Sequence, residues 1–465
     1  MKQNLMKSFL VCLFTFAGMT AFAYDCEVDS IYYNLNAADN TASVTWGDNK
    51  YSGVVNIPAE MEFDGVTYAV TNIGASAFNG CWELTEVTIP NSVTSIALTE
   101  WAFDECRNLE KIVVEEGNPI YDSREDCNAI ISTNENVLVV GCKNTHIPED
   151  VTSIGYAAFS GRDGMTGFVI PINVTSIGDW AFHNCYDITE FTIPNSITYI
   201  GTGAFRYCSR LMELIIPNSV TYIGTEAFGA CTGLIELFIP ASLTSISSTA
   251  FFSCSGLEKI VVEEGNPIYD SRENCNALIT TYNDELTIGC KNTVIPGTVT
   301  SIGGYAFGEC HGLTELTIHN NVTSIGRYAF SGCRNMTDLT IGSSVTSIGE
   351  CAFQWCSALT SVTSLNPVPP VIADYYEEAF ESTTYQNATL HVPADCKSAY
   401  EDAEHWKNFL NIEADMPTAI GSVATGLAKN NAAIYTLDGV KLNTTNPSAL
   451  PSGIYVVNGK KVIVK

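Results

Sequence analysis

Apolar and polar residues follow a repeating pattern along most of this chain. An Ala-Phe pair marks each repeat, and most successive pairs are 23 residues apart. The first interval is 25 residues, and the intervals 103–159 and 251–307 are 56 residues. Self-similarity at a fixed period of this length is typical of solenoids, in which each repeat buries its apolar side only against its neighbours. The phenylalanines of these pairs are Phe78, Phe103, Phe159, Phe182, Phe205, Phe228, Phe251, Phe307, Phe330 and Phe353.

Each repeat predicts two short β-strands joined by turns. The unit reads I-P-x-S-V-T-S-I-G-x-x-A-F-x-x-C-x-x-L-x-E-L-x and is clearest at 193–215. Residues 313–318 illustrate the first strand, which Pro194 or Pro240 ends in other repeats because proline lacks the N–H that a sheet needs. The Val-Thr-Ser-Ile pieces predict a second strand, and a glycine ends it. We interpret the Ala-Phe-x-x-Cys piece as a short helical turn that points Phe and Cys inward.

The phase of these residues resembles the BspA-like subfamily of leucine-rich repeat proteins. The resemblance covers residues 72–362, about two thirds of the chain. It implies a leucine-rich-repeat solenoid that is right-handed, curved and mainly β with short helical turns. It also implies a secreted or surface-attached protein, often tied to adhesion or host contact, and it implies no catalytic residues.

The two long intervals contain inserted segments. The stretch KIVVEEGNPIYDSRE occurs at 111–125 and again at 259–273, and the inserts extend over about 115–141 and 263–289. Each insert has two apolar runs around a polar turn, which predicts a β-hairpin within a lengthened repeat. The copies are separated by one long and four ordinary intervals, so a whole block was duplicated. The alternative is a paired acidic cation site formed by Glu115, Glu116, Asp122 and their copies.

Cysteines follow the same phase. Nine of the ten marker phenylalanines have a Cys three positions later, which favours small, buried, free thiols. Four other cysteines stand at mirrored positions of the two inserts, where a cross-strand disulfide is the alternative to a free thiol in an apolar strand position. These candidates are Cys127 with Cys142, and Cys275 with Cys290.

The two ends of the chain predict export. Lys2 and Lys7 flank the start of an apolar run, and Ala21 to Ala23 offer small residues for cleavage, so residues 1–23 are interpreted as a signal peptide. Residues 24–71 predict a β cap on the first repeat, 72–363 the repeat array, and 364–415 a C-terminal capping module. Residues 416–465 predict a small β-rich domain that resembles a type IX secretion sorting domain. We expect a secreted or surface-displayed protein, or a periplasmic one if the tail is not a sorting signal.

Charge and motifs narrow the function further. Loss of Lys2 and Lys7 with the signal changes the formal charge from −29 to −31, a field that disfavours nucleic acid and anionic lipid as partners. No later segment has the run of about 18 apolar residues that membrane insertion needs. The six histidines are scattered and form no His-Glu-x-x-His motif, and no nucleophile elbow or phosphate-binding glycine loop is present. We therefore predict no catalytic residue, no metal site and no cofactor.

One outward strand position carries acidic residues in consecutive repeats. Neighbouring carboxylates about 5 Å apart repel each other by roughly 1–3 kcal/mol before salt screening, so stability alone would favour alternating charge. The column is either a solvated acidic face or a docking strip for a basic partner, with Phe238 beside it. Lys111 and Lys259 interrupt the column. Its acidic members singled out here are Glu190, Glu213, Glu236, Glu315 and Asp338.

Aromatic residues provide a second set of candidates. Trp101, Trp180, Tyr305 and Tyr328 all stand two residues before a marker phenylalanine, where other repeats vary. They either fill the core edge or form a ridge on which carbohydrate stacks. We expect a monomeric binding protein that contacts an extracellular or host protein. The alternative is a glycan-binding component of a nutrient-uptake system, and an enzyme ranks third.

Overall fold

A computed structural model describes residues 24–165, 168–373 and 378–416, together with short strand segments between 434 and 464. The predicted signal peptide lies outside the described residues. Two β-hairpins divide the repeat array and its caps into three stacks, named here the N-terminal stack (24–114), the middle stack (143–262) and the C-terminal stack (291–416). Each ordinary repeat contributes a long strand of three to six residues and a short strand of two residues.

The N-terminal stack combines a cap with the first two repeats. Strands β1, β2, β3, β5, β6 and β8 form one sheet, and β4, β7 and β9 form a second, parallel sheet. The ring centroid of Tyr51 lies 4.9 Å from that of Phe78, so the cap covers the first marker phenylalanine. The strands are β1 (Cys26–Val28), β2 (Ile31–Asn36), β3 (Thr41–Thr45), β4 (Gly53–Asn56), β5 (Glu60–Phe63), β6 (Val66–Ile73), β7 (Leu84–Ile89), β8 (Ser95–Ile96) and β9 (Lys111–Val114).

The first hairpin and the middle stack share a sheet. The antiparallel strands β10, β11 and β12 continue into the parallel short strands of the middle stack, and the long strands form a separate four-stranded parallel sheet. The hairpin strands are β10 (Tyr121–Asp122), β11 (Ala129–Ser132) and β12 (Val137–Gly141). The short strands are β13 (Ser153–Ile154), β14 (Ser176–Ile177), β16 (Tyr199–Ile200), β18 (Tyr222–Ile223) and β20 (Ser245–Ile246). The long strands are β15 (Glu190–Thr192), β17 (Glu213–Ile215), β19 (Glu236–Ile239) and β21 (Lys259–Val262).

The second hairpin and the C-terminal stack repeat this arrangement. The hairpin strands are β22 (Tyr269–Asp270), β23 (Ala277–Thr280) and β24 (Glu285–Gly289). The short strands are β25 (Ser301–Ile302), β27 (Ser324–Ile325), β29 (Ser347–Ile348) and β31 (Val371–Ile372), and the long strands are β26 (Glu315–Ile318), β28 (Asp338–Ile341), β30 (Ser361–Ser364), β32 (Thr389–Pro393) and β33 (Asn411–Met416). The helices α1 (Ser382–Asn387) and α2 (Lys397–Asp402) lie between these last strands. Trp406 is fully buried there, and the ring of Phe380 stacks 5.0 Å from Phe353, so this segment closes the end of the core.

The tail contributes four strands that pair antiparallel in the order β35-β34-β36-β37. They are β34 (Ile434–Thr436), β35 (Lys441–Leu442), β36 (Gly453–Val457) and β37 (Lys460–Val464). Strand β34 pairs antiparallel with β35, and β36 pairs antiparallel with β37.

The hairpins act as partitions and not as lengthened repeats. Alternate residues of β11 face opposite sides: Ile130 belongs to the core of the N-terminal stack, whereas Ala129 and Ile131 belong to the core of the middle stack. In β23, Leu278 and Ile279 are divided in the same way between the middle and C-terminal stacks. A strand buried on both faces must be apolar at every position, which explains the uninterrupted apolar runs of the inserts.

The Ala-Phe-x-x-Cys segments are turns, which corrects the predicted helical turn. Two positions of each turn, two residues before and two after the marker phenylalanine, have positive φ in almost every repeat. Trp180 has φ 60° and Asn184 has φ 57°, on either side of Phe182. Left-handed residues interrupt the right-handed helix at both ends, so the segment cannot continue as one. The marker rings still point inward and stack, with 5.1 Å between the centroids of Phe159 and Phe182.

The cysteines after the marker phenylalanines tie adjacent repeats together. Seven of the nine thiols of this column point at the main-chain carbonyl of the phenylalanine one repeat earlier, as Cys208 does at Phe182 with 3.3 Å between sulfur and oxygen. The same contact is made by Cys106, Cys185, Cys231, Cys254, Cys333 and Cys356. All of these thiols are free, as the sequence predicts.

Arg162 replaces cysteine in the one repeat that lacks it, directly after the first hairpin. Its side chain is 1% exposed. Nη1 donates to the carbonyl oxygens of Phe103 (3.0 Å) and Ser160 (2.7 Å), and Nε donates to that of Gly141 (2.9 Å). The hairpin separates Phe103 from the next repeat, so a longer side chain makes the contact that a thiol makes elsewhere.

Candidate binding surface

The acidic column lies in register, as the repeat period predicts. Glu190 is the strand partner of Glu213 on β15 and β17, and Glu236 is the partner of Lys259 on β19 and β21. All three glutamates are exposed. Carboxylates directly opposite each other destabilise a sheet, so the Glu190–Glu213 pair lowers the stability of the fold.

Lys259 neutralises one end of this column. Its Nζ lies 3.0 Å from Oε2 of Glu236 and 5.1 Å from the ring centroid of Phe238. Within the described residues, Glu190 and Glu213 have no ion pair. Two of the three predicted docking carboxylates are therefore available to a partner, and the third is occupied by the chain's own lysine.

The C-terminal stack carries the other two acidic candidates. Glu315 and Asp338 are strand partners on β26 and β28, and both are exposed. The Thr337 hydroxyl donates to Asp338 at 2.7 Å. The outward positions beside these acids are threonines, namely Thr314, Thr317, Thr337, Thr340, Thr360 and Thr363.

Several corresponding positions of the middle stack are apolar, although Thr189 and Thr192 beside β15 keep the threonines. Sequence reasoning missed these apolar residues apart from Phe238. Ile215 is 74% exposed, Met212 54%, Phe238 46% and Ile235 42%. Ile215 pairs with Phe238, and Phe238 pairs with Val261, so their side chains form a row across β17, β19 and β21. A signal for this row is present in the sequence. The inward residues of these strands are assigned to the core, and the residues that alternate with them, on the outward side, are also large and apolar.

A groove runs along this apolar row. Its volume is about 760 Å³, and it lies between the outward side chains of the long strands and the Ile-Pro turns that follow them. Glu263 lies at one edge, where its carboxylate accepts a hydrogen bond from the Ala241 amide at 2.9 Å. The lining residues used below are Ile215, Pro217, Phe238, Pro240 and Val261.

The aromatic candidates pack against one another across the turns. Trp101, Trp180, Tyr305 and Tyr328 are half-buried and all have positive φ. The rings of Trp101 and Trp180 meet edge to face at 6.2 Å across the first hairpin, and the guanidinium of Arg206 lies 5.9 Å from the Trp180 ring. These contacts occupy ring faces, which favours the core-edge interpretation over a carbohydrate ridge.

The hairpin cysteines are free thiols, and the alternative of cross-strand bridges is not what the structure shows. Cys127 packs in the core of the middle stack, whereas Cys142 packs in that of the N-terminal stack. Cys275 and Cys290 are separated in the same way, between the C-terminal and middle stacks. The two cysteines of each pair therefore lie on opposite sides of a hairpin that is buried on both faces.

The repeat cysteines are poor nucleophiles. Burial raises the pKa of Cys106, Cys185 and Cys254 to about 12, since a thiolate would be desolvated in the core. Thiolate is the reactive form of cysteine, so these side chains stay inert at neutral pH.

One group of polar side chains in the C-terminal stack has metal-binding chemistry. His391, Glu413 and Asp415 each offer a ligand atom within 4.8 Å of the others. His391 is the strand partner of Glu413, and its Nδ1 lies 2.9 Å from an oxygen of Asp415. Sequence reasoning missed the group because it depends on the register of β32 and β33. Both carboxylates are exposed to water, where a histidine–aspartate pair of this kind needs no ion.

Comparisons with known proteins agree with this architecture. The family described as BspA type Leucine rich repeat region matches in six copies, over residues 61–127, 139–258 and 284–405, more than half of the chain. No protein of curated function matches the chain significantly.

Solved structures of bacterial leucine-rich repeat proteins are also similar. A leucine rich cell surface protein of Faecalibacterium prausnitzii is 26% identical, with 83% of this chain and 94% of that one covered and a TM-score of 0.49. The pneumococcal vaccine antigen PcpA is 17% identical, with 84% and 97% covered and a TM-score of 0.39. A leucine-rich repeat protein of Bacteroides ovatus is 24% identical, with 79% and 100% covered and a TM-score of 0.28.

Proposed function

The chain belongs to the BspA-type leucine-rich repeat family, and on that premise we propose that it is a non-catalytic binding protein whose protein ligand docks on the long-strand face of the middle stack. Proteins of this family are typically extracellular or surface-associated. In the described part of the chain, no helix has the length and apolarity of a membrane span. The family and the signal-like N-terminus support a role at the cell surface, in adhesion or contact with a host or extracellular protein.

The observation that supports this proposal is the apolar row at Ile215 and Phe238. Large exposed apolar side chains next to one another are uncommon on a protein surface without a partner, and aromatic residues are enriched among the energetic anchors of interfaces. The C-terminal stack has threonine at the matching positions Thr317 and Thr340, so the scaffold does not require apolar residues there.

Glycan binding is the second candidate, through the aromatic column at Trp101 and Trp180. Sugar rings stack on open aromatic faces, whereas these rings are half-buried and contact each other. A protein ligand is therefore favoured over a glycan.

The experiment has two parts. Protease shaving of intact cells tests surface display, with loss of the protein expected and full protection contradicting it. The purified full chain is then tested against panels of extracellular-matrix proteins and glycans, as the wild type and as the Ile215→Ser/Phe238→Ser variant. Binding to a matrix protein that this variant loses supports the proposal. The matched control is Thr317→Ser/Thr340→Ser in the C-terminal stack, which should bind as the wild type does. Equal loss in both variants, or binding to glycans alone, would overturn the proposal.

A further inference from the structure

The groove on the middle stack joins two kinds of chemistry on one face. Along β17, Glu213 and Ile215 are two residues apart, so their side chains point to the same side of the sheet about 7 Å from each other. Both are exposed, while Leu214 between them is buried. The partner strand β15 presents the second unpaired carboxylate, Glu190, opposite Glu213. An acidic pair thus borders the apolar row directly.

The chain itself shows what satisfies this combination. One repeat further along, Lys259 places its ammonium group 3.0 Å from Glu236 and 5.1 Å from the ring centroid of Phe238. A cation that pairs with the acid and covers the neighbouring apolar side chain is therefore compatible with this surface. At Glu190 and Glu213 the chain supplies no such cation within the described residues.

The negative charge of this face disfavours an anionic lipid surface as the occupant of the groove. Two unpaired carboxylates in register, with Glu263 at the edge of the groove, repel the anionic headgroups of a lipid surface. A groove of about 760 Å³ has room for bulky side chains of an extended segment.

We infer that the groove takes an extended segment of another protein in which bulky apolar residues alternate with lysine or arginine. This inference rests on the proposed protein-binding function and specifies its partner. An apolar side chain enters the groove between Ile215 and Phe238, against Pro217 and Pro240. A basic side chain two residues away pairs with Glu213 and Glu190, as Lys259 does with Glu236. The apolar contact provides affinity, and the charge pair selects the segment and makes its binding depend on salt.

The test uses the full chain and three synthetic peptides built from repeated four-residue units. The units are Leu-Thr-Lys-Thr, Leu-Thr-Glu-Thr and Ser-Thr-Lys-Thr, so that only the apolar or the charged position differs. Fluorescence anisotropy at 50 and 300 mM NaCl measures binding. We expect the Leu/Lys peptide to bind at least about ten-fold more tightly than either of the others, with an affinity that falls as salt rises.

Paired variants locate the site. Glu190→Gln/Glu213→Gln should weaken the Leu/Lys peptide about ten-fold and remove most of its salt dependence. Glu315→Gln/Asp338→Gln is the matched control, because it neutralises an acidic pair of the same register that has threonine and not apolar residues beside it. Circular dichroism confirms that both variants are folded. Equal weakening by both would show non-specific attraction to an acidic protein and overturn the inference, as would equal binding of the Leu/Glu peptide.

Further outcomes separate this inference from the proposed function. A matrix protein whose binding is lost in Ile215→Ser/Phe238→Ser but unchanged in Glu190→Gln/Glu213→Gln would leave the protein-binding function standing and refute the basic partner. Self-association through this face, measured by sedimentation velocity and abolished by Ile215→Ser/Phe238→Ser, would make the occupant a second copy of the chain and overturn the inference. Binding to phosphatidylserine vesicles through the same face would also overturn it.

Discussion

Replacement of Arg162 by alanine should lower the free energy of unfolding more than replacement of an exposed charged residue does. The guanidinium makes three hydrogen bonds to carbonyl oxygens of Phe103, Gly141 and Ser160, which belong to the repeat before the first hairpin, the hairpin itself and the repeat after it. Hydrogen bonds to a charged group contribute about 1.5–3 kcal/mol each, or roughly 4–9 kcal/mol together. Removal of the side chain also removes a buried charge, and the Nη2 atom of this guanidinium has no hydrogen-bond partner. Because the charge no longer has to be desolvated, several kcal/mol of the loss are offset. We expect a net loss of about 3–5 kcal/mol.

Urea unfolding followed by circular dichroism measures this loss, with hydrogen exchange to locate it. The hydrogen bonds join the N-terminal and middle stacks, so amides of β9 and β12 should lose protection in the Arg162→Ala variant while those of β28 should not. Arg210→Ala is the matched control: Arg210 pairs with Asp187 at 3.2 Å with its side chain 65% exposed, and its loss should cost less than about 1 kcal/mol.

Arg162→Cys tests the reasoning most directly, because it restores the residue that every other repeat has. A thiol is too short to reach the Phe103 carbonyl across the inserted hairpin, so this variant should be nearly as unstable as Arg162→Ala. Wild-type stability in Arg162→Cys would refute the bridging role and show that arginine is merely tolerated there.

Three further predictions concern the hairpin, the thiols and the acidic column. Asn266→Ala should lower the free energy of unfolding by about 2–4 kcal/mol in urea titrations, because this side chain donates to the carbonyls of Pro240 and Leu243 and accepts from the amides of Ile268 and Tyr269; a loss below 1 kcal/mol would contradict it. Stability should fall as pH rises above 9. Buried thiols such as Cys106 have a pKa of about 12, so the unfolded chain releases those protons first, at roughly 1.4 kcal/mol per thiol and pH unit up to 12; an unchanged Tm between pH 8 and 10 would refute this. Lys259→Gln should change the free energy of unfolding by less than about 1 kcal/mol, since the Lys259–Glu236 pair is half exposed, and should strengthen binding of the Leu/Lys peptide by freeing a third carboxylate.

The repeat period was enough to predict the long-strand register. Equal positions of successive 23-residue repeats must stack, so Glu190 falls opposite Glu213 and Glu236 opposite Lys259 without any three-dimensional information. The same logic predicts the buried columns of phenylalanine and cysteine. A repeated pattern transmits its geometry from one unit to the next, and every repeat confirms the assignment of the others.

Features outside the period could not be predicted in this way. The hairpins were expected as parts of longer repeats, because the sequence does not show that β11 and β23 are covered on both faces. That burial places Cys127 and Cys142 in different cores, so they remain free thiols and the alternative of a bridge does not hold. The left-handed residues of the turns were missed because non-glycine residues such as Trp180 and Glu226 occupy them. The apolar row could not be predicted from the period, because outward positions do not face the core and vary between repeats, as Ile215 and Thr317 do.

The duplicated block gives a reason to place the binding surface on the middle stack. Residues 148 positions apart occupy equivalent places in the two copies. Inward residues are similar between the copies, since Leu211 and Leu214 correspond to Leu359 and Val362, whose burial the core requires. The outward residues of one repeat are the same in both copies, since Thr189 and Thr192 correspond to Thr337 and Thr340. In the next repeat they differ, because Met212 and Ile215 correspond to Thr360 and Thr363.

Packing does not explain this difference, because both members of each outward pair sit on strands of the same kind. Exposed apolar side chains also bring a risk of aggregation, which threonine at the same position avoids. A surface that bears this cost in one copy and not in the other is better explained by a partner that covers it. The hairpins set the limits of that surface: the four long strands β15, β17, β19 and β21 form the sheet between the two partitions, and the groove lies on that sheet.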